Sequence, residues 1–148
     1  MTNTTIPLRC GRIIRALADG QDYATIAAGL EPPVSPAAVR SYVSRAARAA
    51  GVHTRAGLVG HYVHRGILRL PPPAEPPPAA PPEHLYRTLL CLASGLRDDE
   101  TAVALDIAPI TAKSYSADVR AFYQAHHRAH AVALAYRHGH LQAPGSVR

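Results

Sequence analysis

Along the first half of the chain, apolar residues recur at helical spacing and are interrupted by glycine and proline. Ile13, Ile14 and Leu17 share one face of a segment from about Leu8 to Asp19, which stops at Gly20. A second, short helix is expected after Asp22, an acceptor suited to free N–H groups, and it turns Ile26, Ala27 and Leu30 inward. Ser35 followed by Pro36 is the clearest start signal. Serine caps the first turn, and proline fits the first helical position, where its missing N–H costs nothing. This third helix carries Val39, Val43, Ala46 and Ala50 on one side and runs to Gly51. A fourth follows Thr54 and buries Leu58, Val59 and Tyr62 before Gly66. Apolar and polar residues never alternate over a strand's length, so the fold class read here is all-α.

The pattern then returns about 75 residues later. Leu17-Ala18-Asp19-Gly20 reappears as Leu92-Ala93-Ser94-Gly95, and Ser35–Tyr42 as Ala108–Tyr115. Helices are expected near Glu83–Ala93, Asp99–Leu105, Pro109–Tyr123 and Arg128–Arg137. A fixed period argues for two four-helix, helix-turn-helix modules, residues 1–70 and 83–148. Units of about 60 residues bury only about 60% of their unfolded surface, so each is expected to lean on the other or on a second chain. Residues 71–82, with eight prolines in twelve positions, join them. Such a segment forbids helix and favours an extended rod of about 37 Å, near one DNA turn of about 34 Å. Its other reading is a ligand for an aromatic-lined groove.

Charge makes the repeat unequal. Residues 1–70 carry nine Arg against Asp19, Asp22 and Glu31, a balance of +6. Residues 83–148 balance to +1. On the third helix, Arg40, Ser41, Ser44, Arg45 and Arg48 form a polar stripe opposite the apolar one. The guanidinium fork matches phosphate oxygens and guanine edges, so a polyanionic partner is expected. In the second copy the stripe reads Lys113, Ser114, Ala117, Asp118 and Ala121. Asp118, with Asp98-Asp99-Glu100, repels a phosphate backbone. The second copy is therefore either a weak DNA contact or a surface for protein, the latter being favoured.

Both copies resemble the LuxR/GerE-type helix-turn-helix, a four-helix module of bacterial response regulators and quorum-sensing activators. In the first copy the likeness lies in Leu17–Gly20, Ile26-Ala27…Leu30, Ser35–Arg45, Gly51–Ala56 and Gly66-Ile67-Leu68. In the second it lies in Ala93-Ser94-Gly95, Ala108–Ser114 and His127–Ala135. Cys10, Arg12 and Thr25 stand where the family usually carries acids, and Tyr42 and Tyr115 where it carries histidine. The resemblance implies that the third helix lies in the major groove. Arg40, Ser41, Ser44 and Arg45 would then read bases, with Arg48 and Arg55 on phosphates; Lys113, Ser114 and Arg128 hold matching places in the second copy. It also implies a dimer contact on the fourth helix. Leu58, Val59 and Tyr62 would pair either between two chains or with Val132 and Leu134 of their own. The implied function is a cytoplasmic bacterial transcriptional regulator whose partner is double-stranded DNA, with a homodimer or the transcription machinery as further partner. The alternative is an adaptor that uses tandem helix-turn-helix folds to bind RNA polymerase, a sigma factor or another regulator.

Other chemistry is thinly represented. Cys10 and Cys91 are not equivalent in the two copies and form no CxxC, as expected of bystander thiols. His126/His130 and His61/His64 have helical spacing but no third ligand partner, so no metal is expected, only a surface titrating near neutrality. Glycine-rich phosphate loops, HExxH and GxSxG are missing, so neither enzyme activity nor a cofactor is expected. No apolar run reaches membrane-span length, and the first residues lack a leader's pattern, so a cytoplasmic location without a membrane is expected.

Overall fold

In the computed structural model, residues 8–73, 75 and 79–142 are described. They form eight α-helices and no strand: α1 (Leu8–Ala18), α2 (Tyr23–Gly29), α3 (Pro36–Ala50), α4 (Arg55–His64), α5 (Glu83–Ala93), α6 (Asp98–Leu105), α7 (Pro109–Tyr123) and α8 (Arg128–Arg137). The chain is all-α. The middle of the proline segment, on which the rod reading rests, and residues 1–7, which bear on the leader reading, lie outside the described residues.

Local signals account for most boundaries. Asp22 Oδ1 accepts the Thr25 N–H at 2.8 Å, Ser35 Oγ that of Ala38 at 3.1 Å, and Thr54 Oγ1 that of Gly57 at 2.9 Å. Gly51 ends α3 in the left-handed region at φ 75°. Its counterpart Gln124 ends α7 at φ 52° without glycine, one of two such non-glycine residues among those described. The second copy also starts α6 differently. Its cap is Arg97, whose backbone N–H donates to Glu100 Oε1 at 3.0 Å.

Buried side chains from both halves join in one cluster, with Ile13, Ile14, Leu17, Leu58 and Val59 on one side and Leu89, Leu92, Val119 and Val132 on the other. Each contributes about 1.5–3 kcal/mol by leaving water. The most extensive helix contact is between α4 and α8, and each of these crosses the first helix of the opposite half, α4 on α5 and α8 on α1. The contacts exchange in the manner of a two-fold dimer. Gly57 of α4 faces Gly95 after α5, while its repeat equivalent His130 faces Gly20, the equivalent of Gly95. Thus the fourth-helix residues meet inside one chain. Leu58, Val59 and Val132 are fully buried there, with Tyr62 and Leu134 partly so. Helix packing, rather than the length of the proline segment, sets the separation of the two halves.

Candidate nucleic-acid interface

On α3 the side chains of Arg40, Ser41, Ser44, Arg45 and Arg48 are all exposed, while Val39, Val43, Ala46 and Ala47 face the core. Two tyrosines organise these arginines. Tyr23, the first residue of α2, has the Arg40 guanidinium 5.7 Å from its ring centre and that of Arg55, the first residue of α4, at 5.2 Å. Tyr42 on α3 holds the Arg45 guanidinium at 5.0 Å. At these distances the ring's negative face attracts a cation by about 0.5–1 kcal/mol at an exposed site, while leaving the fork's N–H groups unspent. Arg9 adds a fourth guanidinium, donating to the Tyr42 hydroxyl at 3.5 Å and to the Glu31 carbonyl at 3.2 Å. Among the described residues no carboxylate comes within ion-pair distance of Arg40, Arg45, Arg48 or Arg55.

The second half answers each of these positions differently. Asp98 stands where the first copy has Tyr23, and it takes Arg128, the equivalent of Arg55, in an ion pair at 2.8 Å. The buried Ser116 hydroxyl donates to the other Asp98 oxygen at 3.0 Å. Arg97 faces Asp99 and Glu100 at 3.8 and 3.4 Å. Where Arg9 meets Tyr42, His84 lies against Tyr115 with ring centres 4.9 Å apart. Lys113 and Ser114 are exposed on α7 as their counterparts are on α3, but Asp118 replaces Arg45 beside them. Exposed apolar residues appear here instead: Val103 is 83% exposed and Ile110 79%.

Arg55 and Arg128 are brought together nonetheless. Both line an open cleft of about 290 Å³ where the starts of α4 and α8 meet. The sequence stripe did not disclose Tyr23, Tyr42 and Arg9 as supports. A cue was present in the substitution of Tyr23 by Asp98 between the repeats, which exchanges an aromatic hold for an ionic one. Asp98→Asn keeps an acceptor for Ser116 and deletes the charge facing Arg128. Because both partners stay partly solvated, the expected loss is up to about 1 kcal/mol, read from the urea midpoint.

His126, His127 and His130 sit elsewhere, around the start of α8. Among the described residues no group of three His, Cys, Asp or Glu side chains could hold a metal ion. No helix among them is long and apolar enough to cross a membrane. Compared with known proteins, the chain matches no family model, and no curated protein or solved structure is significantly similar to it.

Proposed function

We propose that this protein binds duplex DNA through α3 and serves as a bacterial-type transcriptional regulator, with the LuxR/GerE-like helix-turn-helix as its module. The observation that carries this reading is the set of four uncompensated guanidiniums, Arg40, Arg45, Arg48 and Arg55, on and beside one exposed helix face. Charges left without carboxylates raise the local potential and release counterions from a bound polyanion. Holding Arg40 and Arg55 on the Tyr23 ring lowers the ordering entropy they lose on binding. Arg40 and Arg45 with Ser41 and Ser44 face bases, and Arg48 and Arg55 hold phosphates. The packing of the two halves through α4 and α8 takes the place of a homodimer, with α7 presented by the less basic half.

Selection of bound duplexes from random DNA, using the whole chain, tests this. Arg40→Ala should relax the selected motif, at a cost of about 1–3 kcal/mol for the preferred site. Arg48→Ala should weaken all duplexes alike and reduce the slope of affinity against salt by about 1. Retention of the motif, the affinity and the salt slope in both variants would remove α3 from the interface.

For the second half a different role is favoured by a specific observation. Val103 and Ile110 are exposed on this half, as are Asp99, Asp106 and Asp118, and Arg128 is neutralised by Asp98. That surface suits a protein partner of the transcription machinery, the adaptor reading confined to one half. Asp118→Arg distinguishes the two roles: tighter duplex binding places α7 against DNA, and unchanged binding leaves it to a protein.

A further inference from the structure

The starts of α4 and α8 meet at the junction of the halves, and its two sides are finished differently. On one side imidazole rings close the space. His127 caps α8, and its Nε2 lies 3.2 Å from the Gln21 carbonyl of the other half. His126 stacks on His130 beside it, ring centres 5.3 Å apart, over Gly20. On the other side Thr54 takes the place of His127, and Leu96 that of Gln21. Thr54 caps α4 as His127 caps α8, but it carries no ring to reach across. What is left is the cleft of about 290 Å³.

The cleft joins apolar walls to positive charge. Leu92, Ala56 and Ala129 are buried and Leu96 is half-buried, while Arg55 and Arg128 add two partly exposed guanidiniums. Among the described residues no carboxylate pairs with Arg55. Arg128 commits one nitrogen to Asp98 at 2.8 Å and keeps the rest of its fork. Two guanidiniums sharing one carboxylate leave a positive charge in excess, in the geometry that suits an oxyanion. The volume is at the small end for ligand sites and admits one ring or a short chain. The ends of the chain adjoin the opposite end of the bundle. Leu8 opens α1, Pro82 leads into α5, Pro72 is bonded to Arg137 at the end of α8, and Gln142 shares a cavity with His64 at the end of α4. Each is a helix length, about 15 Å, from the cleft.

We infer that this cleft binds a small organic oxyanion, such as a phosphate monoester, whose body is one ring or a short aliphatic chain. The consequence for regulation rests on the DNA reading above. Arg55, held on the same Tyr23 ring as Arg40, serves both sites. A ligand that occupies it withdraws it from a backbone phosphate and lowers affinity for duplex.

Phenyl phosphate, titrated calorimetrically into the free whole chain, is the probe. Saturable binding with a Kd below about 1 mM is expected, with inorganic phosphate about tenfold weaker for want of apolar contact. Thr54→His rebuilds the closed side, cap included, and should weaken phenyl phosphate by about tenfold or more. Leu96→Glu, at a half-buried position between α5 and α6, offers the guanidiniums an internal carboxylate. It should have the same effect, with helicity retained in both variants. In duplex titrations at constant ionic strength, saturating phenyl phosphate should lower wild-type affinity by about threefold or more, and Thr54→His should lose that response. The cleft assignment is overturned by non-saturable binding, by wild-type affinity in both variants, or by inorganic phosphate binding as tightly as phenyl phosphate. That last result would give the guanidiniums to a backbone phosphate alone. The calorimetric titration needs no DNA, so it decides the cleft even if the DNA reading fails. Ligand binding that leaves duplex affinity unchanged would overturn the regulatory role.

Discussion

Gly57→Ala is expected to destabilise the protein by about 2–3 kcal/mol, although alanine is the better helix former by about 1 kcal/mol. Gly57 lies in the first turn of α4, where a Cβ would run into Gly95 Cα of the opposite half. Neither backbone can give way cheaply. Gly95 sits at φ 89°, with Val52 packed close beside it. The added methyl must therefore push α4 from α5 and loosen the shared core around Leu58, Val59 and Leu92. At about 2–4 °C per kcal/mol for a chain near this size, Tm should fall by roughly 5–10 °C. Gly51→Ala is the control, since a Cβ there meets nothing within 4 Å and only the left-handed φ of 75° penalises it. If Gly57→Ala melts with the wild type, the close approach of α4 to α5 is wrong.

The second large effect is acid sensitivity centred on the start of α8. His127 Nδ1 accepts the His130 N–H and His130 Nδ1 accepts the His126 N–H, each at 3.1 Å. His127 Nε2 lies 3.2 Å from the Gln21 carbonyl and donates to it across the two halves. Both rings thus work as neutral acceptors at Nδ1, at a helix end whose dipole disfavours cations. Burial, then the charges of His127, His126 and Arg137, pushes His130 from 6.5 down to about 4. Burial first also lowers His127, helped by Arg55 and His126 and opposed by Gln21 and Asp22. Because the folded pKa lies below the unfolded value, the unfolded chain takes up protons first. Stability is complete above about pH 6.5 and declines as pH falls toward about 4. The half-buried His130 ring keeps part of its solvation, so its share is about 1–2 kcal/mol. Urea midpoints followed from pH 7 to 4 should drop for the wild type and flatten for His130→Gln. The Asp22 carboxyl, held below 3.8 chiefly by the Thr25 N–H, loses its contribution only at lower pH. Parallel profiles for the two proteins would show that His130 does not titrate against folding.

Much of this was legible in particular residues. Ser35-Pro36, Asp22 and Thr54 announced three helix starts, because capping is settled between atoms three residues apart. The exposed stripe from Arg40 to Arg48 and its apolar opposite followed from the 3.6-residue period alone. The supports of that stripe did not, since Tyr23 reaches Arg40 and Arg55 only after three helices converge. The caps at Asp106 and Gln124 lacked the glycine that would have marked them.

By itself, then, the sequence determined eight helices, their order, the duplicated plan and the concentration of arginine in the first copy. All of these depend on neighbours along the chain. Tertiary structure alone decided that α4 meets α8 of the same molecule. It also decided that Arg128 is neutralised while Arg55 is not. Those outcomes hang on contacts between residues some 30 to 80 positions apart. There the presence or absence of one side chain, as at Gly57 and Gly95, sets how closely two helices approach.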